Sequence, residues 1–242
     1  MTTEPSAEAI ARHPHLAATR SPGHVRVDCH SHTMWSGDST TTEDELVDAV
    51  VASRLDVLCV TDHHAIDGAR RLRDVLPCRV IVGEEIRSTQ GEIIGLFLEE
   101  RIPFGLTPHD TAQRIREQGG LVYIPHPFDP MRRNLVEPAL DALAADGLVD
   151  AIEARNAKTS LESLNQTAID FAAEHDLAAG AGSDAHVPDA LGAAYVEMPD
   201  FTDATSFLAS LRAGTVVGHH SDPPRQWRAR IVPSVIPSEG RG

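Results

Sequence analysis

Val25-Arg26-Val27-Asp28-Cys29-His30-Ser31-His32-Thr33-Met34-Trp35-Ser36-Gly37-Asp38-Ser39 is the stretch from which the rest of the chain can be read. It starts as a short alternating strand and ends on two histidines one residue apart, followed by an aspartate. Residues i and i+2 of a strand share a face, so His30 and His32 project together from one strand end. Two imidazoles held that way are half of a metal site, because neutral histidine is a common ligand of zinc, manganese and iron. An isolated His-x-His is equally consistent with two unrelated surface histidines, so the decision rests on the remaining strand ends of the chain.

Downstream, strand-like and helix-like segments alternate. Thr42 and Glu45 have the spacing of a capping box, and Leu46, Val47, Val50 and Val51 supply the apolar face of the helix it opens. Asp56-Val57-Leu58-Cys59-Val60-Thr61 is a continuous apolar run of the kind buried on both faces of a parallel sheet, and it ends in Asp62-His63-His64. Val80-Ile81-Val82 ends in Gly83-Glu84-Glu85. Glu92 precedes Ile93-Ile94-Gly95-Leu96-Phe97-Leu98, and Leu121-Val122-Tyr123-Ile124 ends in Pro125-His126-Pro127. Ala151-Ile152 leads to Glu153, and the small-residue run 177–182 reaches Ser183-Asp184-Ala185-His186. Helices are expected over about 67–76, 107–118, 135–145, 161–175 and 203–212, with further strands near 194–197 and 215–217. Alternating strand and helix predicts an α/β fold with a parallel sheet covered by helices. Nearly every strand delivers His, Asp or Glu at its C-terminal end, where active sites of such folds assemble.

Composition narrows the function. The chain has 242 residues, with 21 Lys and Arg against 36 Asp and Glu, a formal net charge of −15. That balance argues against broad nucleic-acid binding, which needs cations to neutralise phosphates. A small anionic substrate stays compatible with it, since bound divalent metals reverse the local sign. Aromatic residues make up 4% of the chain, so the core must be built from Ala, Val, Leu and Ile. Cys29, Cys59 and Cys78 form no disulfide framework; Cys29 and Cys59 read as small core residues. No secretory segment or membrane span is legible, and a cytoplasmic protein is expected. Residues 1–24, including a second His-x-His at His13-Pro14-His15, have no apolar strand leading into them and read as a poorly ordered tail. Residues 25–220 read as one domain, and the Pro-rich residues 221–242 as a C-terminal tail.

A lone strand-end histidine or carboxylate is more often a loop hydrogen-bonder than a ligand. Here the strand ends together offer His30, His32, Asp38, His63, Glu85, Glu92, His126, Asp184 and His186, with no thiolate pair. That donor set suits Mn, Fe or Zn in a catalytic site better than a structural zinc site. The ordered motifs Asp28-Cys29-His30-Ser31-His32-Thr33, Thr61-Asp62-His63, Gly83-Glu84-Glu85, Pro125-His126-Pro127 and Ser183-Asp184-Ala185-His186 resemble those of the PHP (polymerase and histidinol phosphatase) family, from about Val25 to His220. The resemblance implies a distorted seven-stranded β/α barrel, TIM-like, holding two or three divalent metal ions. It implies His30, His32, Asp38, His63, Glu85, His126, Asp184 and His186 as ligands, with Glu85 rather than Glu84 as the bridging carboxylate. Two departures stand out. Asp38 sits in Ser-Gly-Asp-Ser rather than the common Ser-Asp-Gly, and Glu92 stands where many members carry a histidine ligand.

The activity implied is phosphoester hydrolysis of a small phosphate monoester or nucleotide by water that the metals activate. Glu85, Asp184 and His63 are the expected catalytic residues. Arg132, Arg133 and Lys158 are the cations expected to bind substrate, ahead of Arg87 and Arg155. Glu153 is expected to support a ligand from behind, and His64 either touches substrate or caps its loop. Two other readings compete: metal-dependent hydrolysis of a carboxylic ester, carbamate or amide by the same site, and a non-catalytic, metal-stabilised module. No stable nucleic-acid binding and no membrane association are expected, and the sequence leaves the oligomeric state open.

Overall fold

The structure is a computed structural model that describes residues 7–225; residues 1–6 and 226–242, the outer parts of the two expected tails, lie outside it. Nine strands run β1 (His24–Ser31), β2 (Val57–Val60), β3 (Arg79–Ser88), β4 (Gly91–Leu96), β5 (Leu121–Ile124), β6 (Ala151–Asn156), β7 (Ala178–Gly182), β8 (Ala194–Pro199) and β9 (Thr215–Gly218). Seven helices accompany them: α1 (Ala7–Arg12), α2 (Glu43–Ser53), α3 (Asp67–Leu72), α4 (Pro108–Glu117), α5 (Glu137–Ala145), α6 (Glu162–Glu174) and α7 (Ala204–Arg212). The capping box opens α2 as its spacing predicts, with the Glu45 amide donating to Thr42 Oγ1 and the Thr42 amide to Glu45 Oε2. Among the described residues no helix is long and apolar enough to cross a membrane.

The sheet order is β7-β6-β5-β4-β3-β2-β1-β8-β9. β1 serves two neighbours on one side. Its first half pairs antiparallel with β8, His24 opposite Pro199 and Val27 opposite Val196. Its last residue, Ser31, bridges to Ala185 just beyond β7, and the Asp184 amide donates to the His30 carbonyl at 2.8 Å. β1 to β7 thus bend round into a nearly closed barrel, while β8 and β9 extend it as an antiparallel ribbon. The fold is the expected α/β barrel, with nine strands rather than seven because β1 is long enough to pair with β8 before it meets the end of β7.

The distortion has a specific source. β1, β2 and β3 are mutually parallel, as are β5, β6 and β7, but β4 is antiparallel to both β3 and β5. Six barrel strands therefore present their C-terminal ends to the mouth, and β4 presents its beginning, where Glu92 lies. β3 is longer than the three-residue strand expected from sequence, because Gly83 to Ser88 continue as a hairpin with β4.

Alternation sorts the side chains into two layers. Val27, Cys29, Val57, Cys59, Ile81, Ala151 and Ala181 belong to the cluster that includes Tyr123, Val196 and Phe207. Leu58, Val60, Val80 and Val82 join the larger cluster beneath the helices. β2 is buried on both faces, as its unbroken apolar run predicts. The stretch read as an N-terminal tail instead carries α1 and a 3-10 turn at Pro14–Ala17, anchored by a fully buried Leu16.

Candidate metal centre

The nine strand-end residues, up to 156 positions apart in sequence by their numbers, meet at the barrel mouth. They form four overlapping groups in which one donor atom from each residue lies within 4.8 Å of the others: His32, Asp38, His63 and His186; His30, His32 and Glu85; His30, His126 and Asp184; Glu85, Glu92 and His126. His30 and His32 share a face, as their spacing predicts, with Nε2 atoms 3.0 Å apart. Glu85 Oε2 stands 3.4 Å from the first and 3.2 Å from the second. Its other oxygen, Oε1, lies 3.0 Å from His126 Nε2, so the two carboxylate oxygens face different groups. Glu84, one residue earlier, points to the other side and accepts from the Ile102 amide, which leaves Glu85 as the one of the two that faces the histidines.

These spacings bear on whether a metal fits. Ligand atoms about 2.0–2.2 Å from one ion, at angles near 90–110°, stand about 3.0–3.5 Å apart. The His30, His32 and Glu85 atoms match that triangle, as do Asp38 Oδ2 with His186 Nε2 at 2.9 Å and with His63 Nε2 at 3.5 Å. Two buried imidazole nitrogens aimed at each other cannot both be satisfied by one shared proton and a carboxylate as well as they are by a cation between them. The donor set and its geometry fit divalent ions.

The supporting contacts fix the rings. Glu153 Oε1 is 3.1 Å from His30 Nδ1, and its Oε2 accepts from the His126 amide at 2.6 Å and from Asn156 Nδ2 at 2.9 Å. A carboxylate behind a ligand histidine sets its tautomer and raises its basicity, the role expected for Glu153. Ser36 Oγ donates to Asp38 Oδ1 at 2.9 Å and lies 3.3 Å from His32 Nδ1. Asp28 and Asp62, which the sequence reading did not single out, brace the same region. Asp28 Oδ1 accepts from the Ser183 and His30 amides, and Asp62 takes both the amide and the hydroxyl of Thr33. Asp28 shares the face of His30 by the same i, i+2 rule, a signal present in the opening stretch. His126 and Asp184 have φ of 29° and 50°, left-handed values that non-glycine residues rarely take and that collect at functional sites. Gly182 has a different constraint: a Cβ there would stand 2.3 Å from His30 Cβ and 2.5 Å from Glu153 Oε1.

The electrostatics depend on who faces whom. Burial opposes charge on His30, but Glu153, Glu85 and Asp184 outweigh it and raise its pKa well above the ordinary value. His63 is likewise opposed by burial and raised to about 9 by Glu85 and Asp38. Burial would raise Glu85, yet His30, His63 and His126 hold it well below the carboxylate range. Glu92 moves the other way, raised by burial and by the neighbouring Glu85 charge. In the metal-free protein the cluster therefore carries protons that bound cations would replace.

A cavity of about 500 Å³ opens over the cluster, lined by Asp38, His63, Glu85, Glu92, His126, Asp184 and His186 together with His64, Arg87, Arg132, Arg133, Lys158 and Arg225. Lys158 is buried, with Nζ 3.0 Å from Asp184 Oδ1 and 2.5 Å from His186 Nδ1. Arg132 lies 3.9 Å from Asp222, and the Arg133 carbonyl accepts from the Glu92 amide at 2.9 Å. His64, at φ 55°, packs near Phe104 at the rim. Arg155 points away to pair with Glu162 and does not line the cavity. Arg225 was missed by sequence reading, since it lies in the Pro-rich stretch where no periodicity points to it.

Comparison with known proteins agrees with this geometry. A family model described as PHP-associated matches residues 162–216. Uncharacterized protein MJ0417 of Methanocaldococcus jannaschii is 32% identical over 200 residues, covering 79% of this chain and 81% of that one. A second protein of the same organism, MJ1587, also uncharacterized, is 36% identical over 137 residues, 51% of this chain and 80% of its own. Among solved structures, a two-domain protein of Bacteroides vulgatus containing a predicted PHP-like metal-dependent phosphoesterase superposes with a TM-score of 0.65 at 19% identity, over 84% of this chain and 67% of that one. A barrel whose mouth gathers histidines and carboxylates from successive strand ends is suited to holding divalent metal ions. The chain belongs to the PHP family.

Proposed function

We propose that this protein is a metal-dependent phosphoesterase that hydrolyses a small phosphate monoester or nucleotide at the barrel mouth. The observation that carries the reading is the juxtaposition of four overlapping ligand groups with a rim of Arg87, Arg132, Arg133, Lys158 and Arg225 around one cavity. Carboxylates and imidazoles alone would suit many hydrolyses; the added cations suit an anionic phosphoryl group. That balance favours phosphate esters over carboxylic esters, carbamates or amides.

His30, His32, Asp38, His63, Glu85, Glu92, His126, Asp184 and His186 would hold two or three ions, of Mn, Fe or Zn. Such ions lower the pKa of water and neutralise charge on phosphoryl oxygens. The chain's own residues do the rest. Glu85, with its two oxygens turned to different ligand groups, would serve as a ligand in both. Asp184, held by Lys158, orients the attacking water opposite the leaving group. Glu153 keeps His30 in one tautomer. His63, the most exposed histidine of the cluster, would hold its ion at the solvent edge of the site, where water can give the leaving oxygen its proton. Arg132 and Arg133 bind the non-bridging oxygens, and His64 lines the rim beside them.

The test is phosphate release from a panel of phosphate monoesters and nucleotides by Mn-loaded protein, beside His32→Ala. Release by the wild type alone supports the reading. No release from any compound at full metal occupancy contradicts it, and activity on carboxylic ester, carbamate or amide substrates would then replace it.

A further inference from the structure

The chain after β9 does not leave the barrel. His219 donates its amide to the Ala193 carbonyl at 3.0 Å, and the Ser221 amide reaches the Ala157 carbonyl at 2.8 Å, just past β6. His220 Nδ1 lies 3.0 Å from the same Ala157 oxygen. Asp222 faces Arg132 on the loop after β5, at 3.9 Å. Pro223 and Pro224 then stiffen the path, because each fixes φ. Arg225 comes next and meets the loop after β1, where Nη1 donates to the Asp38 carbonyl at 3.1 Å and stands 3.6 Å from Asp38 Oδ2. Residues 219–225 are thus pinned on loops after three different barrel strands, and Arg225 at their end lines the cavity at the mouth.

Arg225 reaches that mouth with spare capacity. A guanidinium offers five N–H donors in a fixed fork and stays charged at any working pH. The described contacts engage only Nη1, both on Asp38. Asp38 also sits in the ligand group with His32, His63 and His186, so a cation bound there would compete for its carboxylate. Arg225 does not come alone. Arg132, on the loop after β5, and Lys158, just past β6, line the same cavity. Three cations from three separate segments converge on a cavity of about 500 Å³ whose carboxylates belong to the ligand groups. Like charges brought together at a cost call for an anion between them.

We propose that residues 219–225 form a strap that carries Arg225 into the mouth as a substrate-binding residue, gripping the phosphoryl oxygens of a small phosphate ester opposite Arg132. The inference rests on the phosphoesterase reading and deepens it. The strap adds the cation on the β1 side that the β5 loop cannot supply.

The test compares wild type, Arg225→Ala and Arg225→Lys after Mn loading, with metal content measured for each. Binding of inorganic phosphate is read by calorimetry, and hydrolysis of p-nitrophenyl phosphate by steady-state kinetics. Arg225→Ala is expected to keep its metal, weaken phosphate binding about tenfold, which is a loss of about 1.4 kcal/mol, and raise KM by a similar factor with kcat changed far less. Arg225→Lys is expected to recover part of the affinity. Unchanged phosphate affinity and KM in Arg225→Ala would overturn the inference while the phosphoesterase reading stood. Loss of metal with normal phosphate affinity per loaded site would also overturn it, reducing Arg225 to a prop for Asp38. A wild type that binds metal but neither binds phosphate nor hydrolyses any phosphate ester would bring down both.

Discussion

Two histidine pairs in this molecule begin from the same sequence pattern and end facing opposite kinds of partner. His30-Ser31-His32 closes β1 and faces Glu85, Glu153 and Asp184. His13-Pro14-His15 lies outside the barrel and faces another histidine. His13 Nδ1 is 3.4 Å from His219 Nε2, and His219 Nδ1 is 3.3 Å from His15 Nδ1. His15 Nε2 completes the series on the Gly192 carbonyl at 3.0 Å. At the mouth, carboxylates overcome burial at His30 and His63 and raise both, whereas at His186 burial and His32 prevail over Asp38 and lower it to about 4. In the outer cluster burial goes unopposed by any carboxylate and is reinforced by neighbouring cations. His13 falls to about 4 through burial, His219, His15 and Arg12, and His15 falls to about 4 through burial, against the Gly192 carbonyl, with His219 and Arg26 adding to it. The difference teaches that His-x-His is not itself a metal signal. What faces the imidazoles decides whether they gather cations or, held neutral, clasp two segments of chain together.

The comparison can be broken most sharply by removing one histidine from each side. His32→Ala, which takes a donor from two ligand groups at once, should lower hydrolysis on the order of a hundredfold or more, beyond the ~10–100-fold typical of residues behind a ligand. His13→Gln should cost hydrolysis at pH 7.5 far less, because His13 reaches the mouth only through His219 at the start of the strap. Equal losses in the two variants would erase the distinction. Next in size, Glu153→Gln keeps the shape but removes the charge behind His30, and metal affinity measured by chelator competition should fall about 10–100-fold. An unchanged affinity would mean that the carboxylate does not tune the ring.

Gly182→Ala tests the close packing at the mouth. A methyl group 2.3 Å from His30 Cβ must push β7 away from β1, and urea unfolding should show a loss of about 1–3 kcal/mol. No loss would show that the strand can shift freely.

The gentlest test is pH. His13 and His15 have lowered native pKa values, so below the unfolded value of 6.5 the unfolded chain binds more protons than the native one. Their contribution is fully present above 6.5 and is lost as pH falls toward 4. A metal-free protein should show the reverse for His63, whose contribution is present below 6.5 and lost as pH rises through about 9. Urea titrations of His13→Gln and His63→Gln, each against the metal-free wild type between pH 4 and 9.5, should give difference curves of opposite slope. Parallel slopes would contradict the electrostatic contrast.

Much of this was legible in the sequence because barrels are written locally. A run such as Val57 to Val60 declares its burial, and a polar residue at its end declares the mouth. The nine strand-end residues were found that way and through the resemblance to the PHP family, and the structure brings all nine together. Local pattern failed where partners are remote. His15 meets His219 across 204 positions, so nothing near Pro14 announces the clasp. Arg225 sits after two prolines, where helix and strand periodicities are both silent, and its value comes only from the path of the strap. Asp28 and Asp62 were passed over because a buried carboxylate that accepts backbone amides looks, in sequence, like any strand-end acid.

The central claim is that the mouth cluster, and not the outer one, holds divalent ions. Metal content per chain after Mn or Zn loading and desalting tests it most directly, in wild type, Glu85→Ala and the double variant His13→Gln/His15→Gln. The account predicts two or three ions in the wild type and the double variant, and the loss of at least one in Glu85→Ala. Full occupancy in Glu85→Ala, or a loss confined to the outer-cluster variant, would contradict it.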